Sequence, residues 1–212
     1  MAKASDDLKL VTHFELDTRW GNTAATGDNG GVGIDTDGIN IQTKWAYLDF
    51  NMGKSVNVKA GLMPYKDNLK GLYLDADMPM AYMAYKAGGY TLGVGYSRFN
   101  DAAAALANKD YFGNKSADLF VIDNTYAINK DTKVGMAYYM NVDNTKGGSD
   151  VAAGQEKKIH TLGLYGETKM GDLSLSGFAA MQAGYQKNFT GITTQNYHGW
   201  AANTVAKMKV GT

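Results

Sequence analysis

"YTLGVGYSRFN", residues 90–100, is the stretch whose reading decides the fold. Tyr90, Leu92, Val94 and Tyr96 fall on one parity, and Thr91, Gly93, Gly95 and Ser97 on the other. Alternate side chains of a strand point to opposite faces. One face is therefore oily with a tyrosine at each end, and the other is small, polar and uncharged. A sandwich in water puts large residues inward and charges outward. This segment does not, so the rest of the chain has to say which solvent each face meets.

Composition narrows the choice. Lysine plus arginine and aspartate plus glutamate number 21 each, for a net charge of zero. That gives no basis for nucleic-acid binding, and no polybasic run suggests an anionic surface. The 212 residues contain no cysteine, which excludes disulfides and thiolate metal sites. Glycine is frequent at 26, tyrosine at 14, and proline is scarce at 2. No run of about 18 apolar residues reads as a membrane helix. The opening "MAKASDDLKL" lacks the apolar core of a signal peptide, so a leader was removed or the native start lies elsewhere.

Strand-like runs lie near 8–20, 38–50, 56–65, 78–87, 90–99, 117–128, 132–142, 158–169, 172–186 and 196–209. Most are well beyond the usual strand of about 5–6 residues. A strand crossing a bilayer at ~45° needs about 9–11 residues, which they supply. Four connections are tight: "MGKS" (52–55), "AGG" (87–89), "NKD" (129–131) and "MGD" (170–172). The others, 21–37, 66–77, 100–116, 143–157 and 187–195, are long and polar. Short turns at one end and long loops at the other mark an outer-membrane barrel. The expected fold is all-β, an antiparallel transmembrane β-barrel of about ten strands, with residues 1–212 as one domain.

Parity then sorts the faces. Leu8, Leu10, Phe14, Leu16 and Trp20 oppose Lys9, His13, Glu15, Asp17 and Arg19. Val56, Val58, Ala60 and Leu62 oppose Asn57 and Lys59. Val134, Met136, Tyr138 and Met140 oppose Lys133, Gly135, Ala137 and Asn141. Leu173, Leu175, Ala179, Met181 and Tyr185 oppose Ser174, Ser176, Gln182 and Gln186. Trp200, Ala202, Ala206 and Met208 oppose Asn203 and Lys207. A lysine or arginine facing lipid at mid-bilayer costs about 2–4 kcal/mol. That turns Asp123 inward, leaving Phe120, Ile122 and Tyr126 outside. The same rule turns Lys44 inward with Asn40 and Gln42. Leu48 and Phe50 then land inward, which calls for a bulge or the wet end of the strand. Both faces of "MPMAYMAYKA" (78–87) are apolar, and parity leaves it unassigned. Leu92 and Val94 are expected to meet hydrocarbon, with Tyr90 and Tyr96 at the two interfaces and Gly93 and Gly95 facing a lumen.

With "WGN" (20–22), "IQTKWAYLDFNMGKSVNVKAGLMPYKD" (41–67) and the "LGLYG" strand (162–166), the chain resembles the bacterial outer-membrane porins of gram-negative organisms. The likeness implies a general-diffusion barrel in the bacterial outer membrane, with the lipid bilayer and small hydrophilic solutes and ions as partners. It also implies a homo-oligomer, a trimer in form, and no cofactor. Two departures stand out. Porins have about 16–18 strands and end in an aromatic residue, whereas this chain ends "VAKMKVGT". A small closed barrel and the N-terminal part of a larger one both remain open.

Candidate sites follow from the faces. The expected pore wall is Lys9, His13, Glu15, Asp17, Arg19, Lys44, Lys59, Asp123, Lys133, Glu167 and Lys207, whose mixed signs predict weak ion selectivity. "THFELD" places His13 with Glu15 and Asp17, which could serve acid–base or metal chemistry; a polar lumen wall is the plainer reading. His160 and His198 sit near loop ends. No Ser–His–Asn spacing stands out, so the chain is read as carrying no catalytic residue and as not an enzyme. "DTDG" (35–38) and "DADMP" (75–79) lack the full EF-hand series, so no metal is assigned. "NDAAAALANKD" (100–110) has helix-favouring alanines with Asn100 or Asp101 to cap them. Porins fold their third loop into the lumen, and the resemblance implies a constriction through Asp101, Ala102, Ala105, Asn108, Lys109 and Asp110. The residues alone equally describe a surface loop with one helical turn.

The leading reading is a passive diffusion channel. A non-conducting barrel serving as anchor, adhesin or enzyme scaffold is the second reading. A secreted soluble β-protein such as a solenoid is the third.

Overall fold

The computed structural model describes residues 2–16, 41–101, 116–144, 155–188 and 193–210. They form one antiparallel sheet in which every strand pairs with its neighbours in sequence, from β1 at one end of the order to β11 at the other. The strands are β1 (Ala2–Lys3), β2 (Leu8–Leu16), β3 (Ile41–Met52), β4 (Val56–Lys66), β5 (Asp75–Ala87) and β6 (Tyr90–Asp101). They continue as β7 (Ser116–Ala127), β8 (Thr132–Asp143), β9 (Gln155–Met170), β10 (Leu173–Asn188) and β11 (Thr193–Met208). Ten are the long strands expected from sequence, and β1 is a two-residue addition pairing Lys3 with Lys9.

The tight turns lie at one end of the sheet, called here the turn end. Gly53 and Gly171 adopt φ of 68° and 59° there, a left-handed conformation that strains any residue with a Cβ. The other end is the loop end.

Cross-strand partners share a face, so the register tests the parity argument directly. Gly93 and Gly95 pair with Asp123 and Val121, both buried, while Val94 pairs with the exposed Ile122. The bareness of one face of β6 has a steric cause. A Cβ on Gly93 would fall within 1.8 Å of the Tyr82 hydroxyl, and one on Gly95 within 2.3 Å of the Met80 methyl. The small residues make room for large ones reaching over from β5. This also resolves the strand that parity left open. Met78 and Met80 face inward and are buried, and Met83 and Tyr85 face out.

The bulge expected in β3 is present. Register shifts between His13 and Phe14, where Trp45 and Thr43 are the successive partners and Lys44 is skipped. Beyond it Leu48 pairs with Leu10 and Phe50 with Leu8, so both lie outward with the lipid-type residues. The inward landing of Leu48 and Phe50 is thereby removed.

The sheet curls around a core on one face. That core contains Met63, Tyr65, Leu69, Met78, Met80, Leu119, Val121, Ala137 and Tyr139. Tyr65 on β4 donates to Asp123 on β7 at 3.1 Å. The two strands would stand about 14 Å apart in a flat sheet at ~4.8 Å per spacing, so curvature is what lets their side chains meet. The outer face is the reverse. Leu164, Met181 and Trp200 are 60%, 62% and 82% exposed.

Candidate functional site

The inner face carries charged residues, two sets of them in ion pairs. Lys44 Nζ and Glu15 lie 3.0 Å apart, as do Lys133 Nζ and Glu167. Lys9 pairs in register with Asp49, and Asp49 with Lys59. The Lys59 ammonium stands over the Tyr47 ring at 5.9 Å. His13 packs edge-on against Trp45 at 4.5 Å. Lys207 pairs with Ser174 near the turn end. Asp17 and Arg19 lie outside the described residues, as do Ala102, Ala105, Asn108, Lys109 and Asp110. Asp101 ends β6 opposite Ser116, and its side chain is likewise outside them. No group of three metal-ligating side chains occurs among the described residues.

Asp123 is the most enclosed of these charges. It is buried and accepts hydrogen bonds from Tyr65 at 3.1 Å and Tyr139 at 3.2 Å. A carboxylate removed from water is tolerable only when hydrogen-bonded in this way.

The principal surprise is the connection between β4 and β5. Residues 66–77 read as an ordinary polar loop, and that expectation is corrected. Residues 67–74 fold across the inner face. Asp67 builds the fold of this segment. Its Oδ1 accepts the N–H groups of Leu69 (2.8 Å) and Gly71 (2.9 Å), and its Oδ2 those of Tyr73 (2.7 Å) and Leu74 (2.5 Å). Its own N–H donates to the Leu74 carbonyl at 2.9 Å, closing the base. One buried carboxylate thus satisfies four backbone donors that could not otherwise leave water.

The segment reaches the far side of the sheet. Leu69 is wholly buried, and a Cβ on Gly163 of β9 would lie 2.5 Å from its Cδ2. Tyr73 stacks on Tyr139 of β8 at 5.2 Å. Lys70 Nζ donates to Ser176 Oγ of β10 at 2.6 Å. Lys70 holds a left-handed φ of 64° to do so, a conformation that costs a non-glycine residue roughly 1 kcal/mol and persists only where its surroundings enforce it. Burial pushes the Tyr73 phenol up to about 12.

Sequence reasoning missed Asp67, Leu69 and Tyr73. The signal was there: Leu69, Leu72, Tyr73 and Leu74 are four apolar residues in a span assigned to solvent. It also missed the inward tyrosines, Tyr47, Tyr65, Tyr82, Tyr139 and Tyr165, which line or border the core. Tyr139 shares parity with Lys133 and Ala137, so the alternation already put it inside.

The face assignment has a direct test. Single cysteines at His13 and Glu15 should react with a water-soluble maleimide in the reconstituted protein, and those at Phe14 and Leu16 should not. Inverted labelling would mean the faces are exchanged.

No family model matches the chain, and no curated protein does. Among solved structures, the trimer form of OmpT, an outer membrane protein of Vibrio cholerae folded in vitro, is similar. It has a TM-score of 0.43 and 14% identity over 76% of this chain and 55% of that one. A second OmpT structure from the same organism gives 0.41 and 14%, over 76% and 54%. The chain spans about half the length of these proteins. At this distance the likeness carries no residue role, activity or assembly state to this chain. It does correct one expectation. The expectation that the chain is not an enzyme is withdrawn: the outer membrane proteins it is similar to, at 14% identity, give it no support.

Proposed function

We propose that this protein lies in the bacterial outer membrane and forms a water-filled channel for passive diffusion of ions and small hydrophilic solutes, narrowed by residues 67–74. One observation supports this above the others: the outer face carries an uncharged band. On β10 the outward residues from Leu173 to Tyr185 are all uncharged. That run is about 40 Å along the strand at ~3.4 Å per residue, or roughly 29 Å across a bilayer at 45° tilt. It matches an apolar band of about 25 Å in membrane barrels. The inner face carries the opposite character, with charges, amides and hydroxyls facing one another. An unpaired charge on the outer band would cost about 2–4 kcal/mol, whereas in a lumen it costs little and shapes solute passage. The pore wall in this reading is Lys9, His13, Glu15, Lys44, Lys59, Asp123, Lys133, Glu167 and Lys207, joined by the inward tyrosines.

A second reading also has a specific observation behind it. Leu69, Tyr73 and the tyrosines fill part of the inner face, as in a plugged barrel that serves as an anchor or scaffold. Planar bilayers separate the two. The channel reading expects discrete, ohmic conductance steps from the full-length protein. Insertion without conductance would overturn it and leave the plugged barrel. The mass of the same sample in detergent tests assembly into a homo-oligomer.

A further inference from the structure

A cavity of about 480 Å³ lies on the inner face between the 67–74 segment and the turn end, its lining including Lys59, Lys86, Asn51, Asn57, Tyr82 and Asp123. Its size suits a small solute. Its charges are distributed unevenly. Asp123, at the segment side, is already occupied by the hydroxyls of Tyr65 and Tyr139. Asp49 is the cross-strand partner of Lys59 but is engaged by the Asn57 amide at 2.7 Å. Lys66, also on the rim, is bound to Asp75 at 2.5 Å. Lys59 and Lys86 have no ion-pair partner among the described residues. Lys59 leans over Tyr47 instead. Elsewhere on this face Lys44 is paired with Glu15 and Lys133 with Glu167, while Lys9 and Lys207 stand singly among the described residues, away from this cavity. Two ammonium groups outside any ion pair thus share one cavity with amide and phenol groups, with the hydrogen-bonded Asp123 carboxylate at its segment side.

We propose that this cavity binds a small anionic solute, one bearing a carboxylate or phosphate group, between the ammonium groups of Lys59 and Lys86. Asn51 and Asn57 offer further polar contacts, and the Tyr82 ring forms an apolar wall. The site refines the channel reading, on which it rests for access to water: solutes meet an anion-attracting station beside the narrowed stretch. The expected weak selectivity from mixed wall charges then gives way to a local preference, because two lysines outside any ion pair meet in this one cavity.

The test uses the full chain, folded in detergent and in planar bilayers, with inorganic phosphate as the probe. Titration should show saturable phosphate binding. Lys59→Gln and Lys86→Gln should each weaken it by about tenfold, the scale of one charge-assisted hydrogen bond. Lys130→Gln, on the exposed turn between β7 and β8, should not change it, because Lys130 lies outside the cavity. In a salt gradient the reversal potential should show anion preference that the double variant loses. If the protein conducts but phosphate affinity and reversal potential are indifferent to both lysines, the anion site is overturned and the channel reading survives. If it never conducts yet binds phosphate through both lysines, the channel reading fails and the site stands. Phosphate vesicle lipids that compete for Lys59 and Lys86, where free phosphate does not, would also overturn the solute site.

Discussion

Replacing residues 68–73 by a short Gly-Ser link is expected to raise single-channel conductance severalfold. The segment touches β8, β9 and β10 from a base on β4 and β5. In the proposed channel it therefore occupies width that ions would use. Its anchoring is strong and divisible. Leu69 contributes roughly 2–3 kcal/mol through complete burial. The Asp67 carboxylate holds four backbone donors, each such bond to a charged group contributing about 1.5–3 kcal/mol. Asp67→Ala should release the segment without removing it, giving noisy conductance between the closed and deleted levels. Both variants keep every strand-to-strand pairing, so heat-modifiable gel mobility should still report a folded protein. A folded deletion variant with an unchanged step would show that 67–74 lies outside the ion path. Deleting 102–107, from the connection after β6, provides the comparison. An enlarged step there and none at 68–73 would favour the third-loop constriction expected from the porin resemblance.

Period-two alternation carried most of this fold in the sequence, because the inner and outer faces of the sheet impose opposite chemistry on adjacent residues. It placed Leu92, Val94, Leu173 and Met181 outside from single residues. The conflict between Lys44 and Leu48 called for a bulge or a wet strand end, and the bulge is the one present. Alternation failed where both faces are apolar. Met78, Met80 and Tyr82 lie inward as core rather than toward lipid, and the companions that reveal this, Gly93 and Gly95 on β6, are neighbours only in space. The 67–74 segment failed for a related reason. Loop composition says that a span lacks a ladder; it does not say which surface the span will cover. Asp67 gives no local sign that four N–H groups will converge on it. The pocket in which Leu69 rests exists because Gly163, almost a hundred residues later, has no side chain.

That pocket makes the sharpest test of the architecture, since Gly163 and Leu164 are adjacent and face opposite environments. Leu164→Arg should destabilise folding by about 2–4 kcal/mol, because the charge enters the uncharged band near its middle. It should show as a lowered denaturation midpoint in lipid vesicles, with the unit conductance of the folded fraction unchanged. Gly163→Val should destabilise as well, but should alter the conductance. The new Cβ would sit 2.5 Å from Leu69 Cδ2 and 2.7 Å from Cδ1, so Leu69 must leave its socket. Overpacking of this kind costs about 1–3 kcal/mol, and the displaced segment should raise or destabilise the conductance step. The collision also predicts a coupling. Adding Leu69→Ala to Gly163→Val should recover stability relative to Gly163→Val alone, although Leu69→Ala by itself is destabilising, because the two side chains compete for one space. Additive losses in the double variant would mean that Leu69 does not rest against β9. A tolerated Leu164→Arg beside an unfolded Gly163→Val would place lipid on the other side of the sheet.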